Sequence, residues 1–202
     1  KPAIESYNQI ALVAPFPVTY HLPALHGFTS IEQVRGNISG IIVMGSAASV
    51  HDGHSWQDVI TELILDAIEN NIPVMGICYG HQLLAHIFGG TVGLLWNGEK
   101  KQGQRNVNLS GNMLWGTPRS GPMIFSHQEG VTKCPYGFEI TAVSELVAID
   151  GFASKTKPIW GFQTHIEATQ AFIDDHSIPN VNSHESFEFG HRVLDNFILS
   201  LT

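Results

Sequence analysis

Cysteine is scarce: Cys78 and Cys134 are the only two in 202 residues. That argues against a secreted disulfide scaffold and for a reducing, cytoplasmic setting. Basic residues are few as well, 10 against 18 acidic ones, for a formal net charge of −8. With no run of Lys or Arg, a nucleic-acid backbone is not an expected partner, whereas a small polar or zwitterionic substrate is compatible. Charge, Gly or Pro interrupts every apolar stretch before it reaches membrane-spanning length, so no membrane partner is expected. The N-terminus has no signal-peptide pattern. No Gly-x-x-x-x-Gly-Lys-Ser/Thr phosphate loop occurs, and no repeat, low-complexity tract or linker. What is present is a globular composition, 43% hydrophobic and 14% charged, and residues 1–202 are expected to form a single domain.

Several segments have clear signals. Gln9–Ala14 reads as a strand closed by Pro15-Phe16-Pro17, and Ile38–Met44 as a second strand ending at Gly45-Ser46. In Trp56–Asn70 the residues Val59, Ile60, Leu63, Ile64, Ala67 and Ile68 fall on one helical face. Pro73–Ile77 is a short buried strand, and a helix from about His81 to Phe88 stops at Gly89-Gly90. This alternation predicts an α/β fold with a mostly parallel open sheet flanked by helices. Thr91–Ala148 is turn-rich and alternating, as in Asn106-Val107-Asn108-Leu109, and predicts a small β-rich extension. Lys157–Gln163 is a late strand, and Glu185–Leu201 a closing amphipathic helix.

The strongest chemical signal is Gly76-Ile77-Cys78-Tyr79-Gly80-His81-Gln82. A strand delivers a thiol into a sharp turn between glycines, and a helix starts at once, as in a nucleophile elbow. The helix N-terminus favours the Cys78 thiolate, and the Tyr79 backbone N–H is placed to bind an oxyanion. A buried structural cysteine is the competing reading; the flanking glycines and the strand-turn-helix context weigh against it. A nucleophilic thiol needs a base. His165 follows the late strand, so it belongs at the C-terminal edge of the sheet, where open α/β sheets bind ligands. In an extended segment Glu167 would point the same way as His165 and could hold its ring. An ordinary surface His–Glu pair is the alternative. His51-Asp52-Gly53-His54 lacks a partner cluster, so no metal is expected, and no cofactor either.

These two motifs resemble those of the class I glutamine amidotransferase family, nearest to the glutaminase part of GMP synthases and to stand-alone relatives. Gly76–Gln82 is similar to the family's Gly-x-Cys-x-Gly-x-Gln, and Gly161-Phe162-Gln163-Thr164-His165-Ile166-Glu167 to its Gly-x-Gln-x-His-Pro-Glu. The resemblance spans about Ile41 to the C-terminus and implies a flavodoxin-like glutaminase fold. It also implies a Cys78–His165–Glu167 triad that hydrolyses the side-chain amide of L-glutamine through a γ-glutamyl thioester. An ammonia-accepting synthetase chain would be the partner. Gln82 matches a substrate-contacting residue, and Ser126-His127-Gln128-Glu129 resembles the segment that holds the substrate's α-groups.

Three departures from the family pattern stand out. Gly45-Ser46-Ala47 replaces a Gly-Gly-Pro turn; Gly45 is kept as a substrate contact, and because the second oxyanion donor is a backbone N–H, Ser46 can still supply it. A non-Gly residue there resists positive φ, and losing one such donor costs about 100- to 1,000-fold in rate. Ile166 stands where the family has Pro. Lys1–Gln9 looks like a helix tail, so the family's first strand is expected to be absent. A γ-glutamyl hydrolase or peptidase would need the same triad with a wider pocket. A non-catalytic interaction module is the third reading, and retention of the triad weighs against it.

Overall fold

In the computed structural model, residues 2–179 and 181–201 are described. The first segment is helical: α1 spans Pro2–Val13, followed by short turns of helix at Pro23–His26 (α2) and Thr29–Glu32 (α3). Then come β1 (Ile41–Val43), α4 (Ser55–Glu69), β2 (Val74–Ile77), α5 (Tyr79–Ile87) and β3 (Thr91–Leu94). The strands β4 (Lys101–Leu109), β5 (Arg119–His127), β6 (Glu129–Lys133), β7 (Phe138–Ser144), β8 (Gly151–Ser154) and β9 (Ile159–Phe162) follow. Two helices close the chain, α6 (Gln170–Asp175) and α7 (Ser183–Leu199).

The expected α/β class is the one observed. Seven strands form one sheet in the order β1-β2-β9-β8-β7-β4-β5, and β3 and β6 pair separately. The parallel part is β1-β2-β9, in register Ile42 to Met75 and Met75 to Trp160. The β-rich residues do not stand apart from it: β8, β7, β4 and β5 continue the same sheet in antiparallel fashion. Among the described residues, β1 is an edge strand with no strand beyond it.

The strand expected at Gln9–Ala14 is not observed; these residues lie in α1 and just past its end. A short apolar run has no period of its own. Here Ser6 and Ile10, one helical turn apart, are the buried positions, and Ile10 joins the cluster that contains Val193, Leu194 and Phe197 of α7. Packing against a helix therefore decides its state. Pro15 follows the break as expected.

Strand alternation splits the core into two layers. Met75, Ile77 and Phe162 face α7, whereas Val74, Ile159 and Phe152 face Ile64, Ala67, Leu83 and Leu84 of α4 and α5. Burying a leucine- or phenylalanine-sized side chain stabilises by about 1.5–3 kcal/mol, so both helical layers are held to the sheet by their apolar faces. The backbone N–H of His54 donates to Gln57 Oε1 at 2.8 Å and starts α4.

Candidate active site

Three adjacent parallel strands end at the same edge. Just beyond β1 lies Gly45, beyond β2 Cys78, and beyond β9 His165. The strand order alone thus brings residues 45, 78 and 165 together at the C-terminal edge.

Cys78 has φ 52° and ψ −101°, outside the regions an L-residue prefers. The neighbouring glycines make this bend possible. A Cβ on Gly76 would meet the Gly80 carbonyl oxygen at 2.4 Å, and one on Gly80 would meet that of Val43 at 2.1 Å. The Cys78 N–H donates to Phe162 O at 2.7 Å, which ties the bend to β9. Tyr79 opens α5, and its hydroxyl accepts from Gln57 Nε2 at 2.9 Å.

His165 Nδ1 lies 2.9 Å from Glu167 Oε1, with both side chains buried. The segment is not extended as the i, i+2 argument assumed. It is a tight turn, in which Ile166 N–H donates to Thr164 O and Ala168 N–H to His165 O. Ile166 is fully buried in the core, so an apolar anchor stands at the position of the family's proline. His165 N–H donates to Ile124 O at 2.8 Å, and the ring packs on Phe172 at 4.2 Å between centroids. Burial disfavours the imidazolium. The charges of Glu167 and Cys78 and the ring's hydrogen bond to Glu167 outweigh it and raise the His165 pKa to about 10.

Gly45 packs on the same pair: a Cβ there would lie 2.9 Å from His165 Cε1 and 3.6 Å from Cys78 Cβ. Ser46 is exposed and is not among the described residues with positive φ, so the turn forms without the conformation that a non-Gly residue resists. Its hydroxyl accepts from Ala48 N–H at 3.1 Å.

The remaining sequence-predicted residues lie on α5 (Gln82) and at the end of β5 (Ser126 and His127). Gln82 Nε2 donates to Glu129 O at 2.9 Å and to Gln163 Oε1 at 3.2 Å. The Ser126 hydroxyl points to Gln102 Oε1 at 3.5 Å. His127 is buried, with Nδ1 2.8 Å from Glu129 O and Nε2 3.0 Å from Arg105 Nη1. Burial, then the Arg105 charge, lowers its pKa to about 3, so it stays neutral.

Sequence reasoning missed three residues at this site. Gln163 sits inside the quoted motif, and its Nε2 lies 3.7 Å from Cys78 Sγ. Arg105 and Asp150 form a buried ion pair. The signal for Arg105 was in the alternation of β4: it is in phase with the buried Val107 and Leu109, not with the exposed Asn106 and Asn108.

A family model described as glutamine amidotransferase class-I matches residues 15–181. The chain belongs to this family. It is 31% identical over 174 residues to the glutamine-hydrolyzing GMP synthase of Caldicellulosiruptor saccharolyticus, covering 86% of this chain and 30% of that protein. The chain thus spans under a third of the length of that relative. Against a separate subunit of the glutamine-hydrolyzing GMP synthase of Methanocaldococcus jannaschii it is 30% identical over 171 residues, or 84% of this chain and 78% of that one. The fold is shared with a solved glutamine amido transferase from Methylobacillus flagellatus (TM-score 0.67, 22% identity, 83% of this chain and 77% of that one). A glutamine amidotransferase from Thermotoga maritima gives a TM-score of 0.63 at 21% identity, with 79% of this chain and 77% of that one covered. Class I glutamine amidotransferases are enzymes, and this chain is one of that type. Among the described residues no helix is long and apolar enough to cross a membrane.

Proposed function

We propose that this amidotransferase hydrolyses the side-chain amide of L-glutamine with Cys78 as nucleophile, His165 as acid and base, and Glu167 as its orienter. The observation that carries this reading is the His165–Glu167 contact at 2.9 Å, with Cys78 held at a strained bend and Gly45 packed against both Cys78 and the same imidazole. The raised pKa of His165 keeps its ring protonated and ready to give a proton to the leaving group. The thiolate attacks the amide carbon. The oxyanion that forms is held by the Tyr79 N–H at the start of α5 and by the N–H of Ser46 in the exposed turn. His165 gives its proton to the departing ammonia, leaving a γ-glutamyl thioester. The now neutral ring takes a proton from water, which attacks the thioester. Collapse of that intermediate returns glutamate, the Cys78 thiolate and the protonated ring.

Gly45, Gln82, Ser126 and His127 are proposed to position the substrate. The ammonia is proposed to pass to a synthetase chain of the kind that would complete a GMP synthase whose glutamine-hydrolysing part is a separate chain. The test is glutamate release from glutamine, alone and with such a synthetase. The expected result is release that Cys78→Ala abolishes and Cys134→Ala does not. A folded protein that releases no glutamate in either condition would overturn the reading. A strong preference for γ-glutamyl peptides over glutamine would move it to a γ-glutamyl hydrolase.

A further inference from the structure

The hydrogen bonds behind Cys78 form a closed ring. Asp150 Oδ1 accepts from Arg105 Nη2, and Arg105 Nη1 donates to His127 Nε2 at 3.0 Å. His127 Nδ1 lies 2.8 Å from Glu129 O, which also accepts from Gln82 Nε2 at 2.9 Å. Gln82 Nε2 donates again to Gln163 Oε1 at 3.2 Å, and the Gln163 backbone N–H returns to Asp150 O at 2.7 Å.

The direction of every bond in this ring is determined by two members that cannot switch roles. A backbone carbonyl only accepts, so Glu129 O requires N–H groups from both His127 Nδ1 and Gln82. A guanidinium only donates, so the other nitrogen of His127 must present a lone pair to Arg105. Gln82 therefore presents its second N–H to Gln163 Oε1, and the Gln163 amide is left with its NH2 group against Cys78 Sγ, at 3.7 Å. An N–H aimed at sulfur favours the thiolate over the thiol. Arg105 is the one cation in the ring. It is buried, stacked 4.4 Å above the Phe125 ring, and within electrostatic reach of Cys78. Its guanidinium is engaged by Asp150 and His127, and it is not among the groups proposed to touch substrate.

We propose that Arg105 is a positioning residue for the nucleophile: by fixing His127 against Glu129 O it holds the carbonyl that orients Gln82, and through Gln82 it keeps an N–H of the Gln163 amide directed at the Cys78 sulfur. The inference rests on Cys78 being the nucleophile. It is tested without glutamine, so a protein that releases no glutamate can still obey it.

The measurement is the pH dependence of Cys78 alkylation by iodoacetamide on the full chain, in a Cys134→Ser background and followed by mass spectrometry. Arg105→Met should move the midpoint up by about one pH unit, which is about a tenfold slower reaction on the acid side. Gln163→Leu should give the same shift, and the double variant no more than either alone, because the two act through one contact. Arg105→Met leaves the Asp150 carboxylate buried without its partner and can fail to fold. Arg105→Met/Asp150→Leu removes both charges and should show the same shift. An unmoved midpoint in the folded Arg105 variants, or shifts that add in the double variant with Gln163→Leu, would overturn the proposal. A residue that only stabilises the fold would change the urea midpoint and leave the alkylation profile where it was.

Discussion

The bend at Cys78 stores strain, of the order of 1–3 kcal/mol for an L-residue held outside its preferred regions. Glycine relieves it and alanine does not. Cys78→Gly is therefore expected to unfold at higher urea than Cys78→Ala by about 1 kcal/mol, reversing the usual order of these two residues. Equal or inverted midpoints would mean that the backbone relaxes once the thiol is gone. Glu167 acts at the same scale. It is 3% exposed and bonded to His165 Nδ1. Glu167→Gln keeps the shape but loses the charge that favours the imidazolium, so kcat should fall on the order of 1,000-fold with little change in KM. A kcat within about threefold of the parent would remove Glu167 from the proposed triad. His165 and Glu167 were both visible in the sequence by motif. Their contact was predicted for a wrong reason: an extended segment was assumed, and a turn makes the same approach.

Elements explain why the site is where it is. The helix α5 can start directly under β1 only because residue 80 has no side chain, with the Val43 carbonyl 2.1 Å from where a Cβ would sit. Gly80→Ala should cost about 3 kcal/mol or more in unfolding free energy, since the obstacle is backbone and cannot rotate away. A variant within about 0.5 kcal/mol of the parent would show that α5 can shift as a body. The glycines at 76 and 80 were legible because a strand–turn–helix crossing needs them. Residues 9–14 were not, because a run of that length fits a strand or a helix equally and only its packing against α7 decides. Arg105 escaped notice for a related reason. Polar alternation marks β4 as a strand, but a charged residue on the inward face looks like a break in pattern until its partner Asp150, from the turn between β7 and β8, is seen beside it.

For the whole molecule, three buried histidines set opposing pH limits. His81 is fully buried against Phe152, at 4.5 Å between centroids, and neither ring nitrogen closes a well-formed hydrogen bond. Burial lowers its pKa to about 3, partly offset by the nearby Ile149 and Gly161 carbonyls, and His127 is lowered to about 3 as well. In the unfolded chain each takes a proton near 6.5. The unfolded state therefore binds more protons below that pH, and stability falls as pH drops from about 6.5 toward 3. His165 acts in the other sense. With its pKa raised to about 10, its contribution is complete below 6.5 and is lost as pH rises toward 10. Urea midpoints should peak near neutral pH, and His81→Gln should flatten the acid limb. An acid limb of unchanged slope in that variant would assign the loss to other groups. The sequence alone determined the family, the α/β class, the bend at Cys78 and the identity of its proposed partners, because each follows from local patterns of glycine, apolar residues and motif spacing. Only the tertiary structure decided that residues 9–13 are helical, that β4 and β5 complete the main sheet, and that Arg105, Asp150, His127 and Gln163 close a ring behind the thiol. Such features depend on which partners the fold brings together from distant parts of the chain, and local sequence pattern carries no record of distance in space.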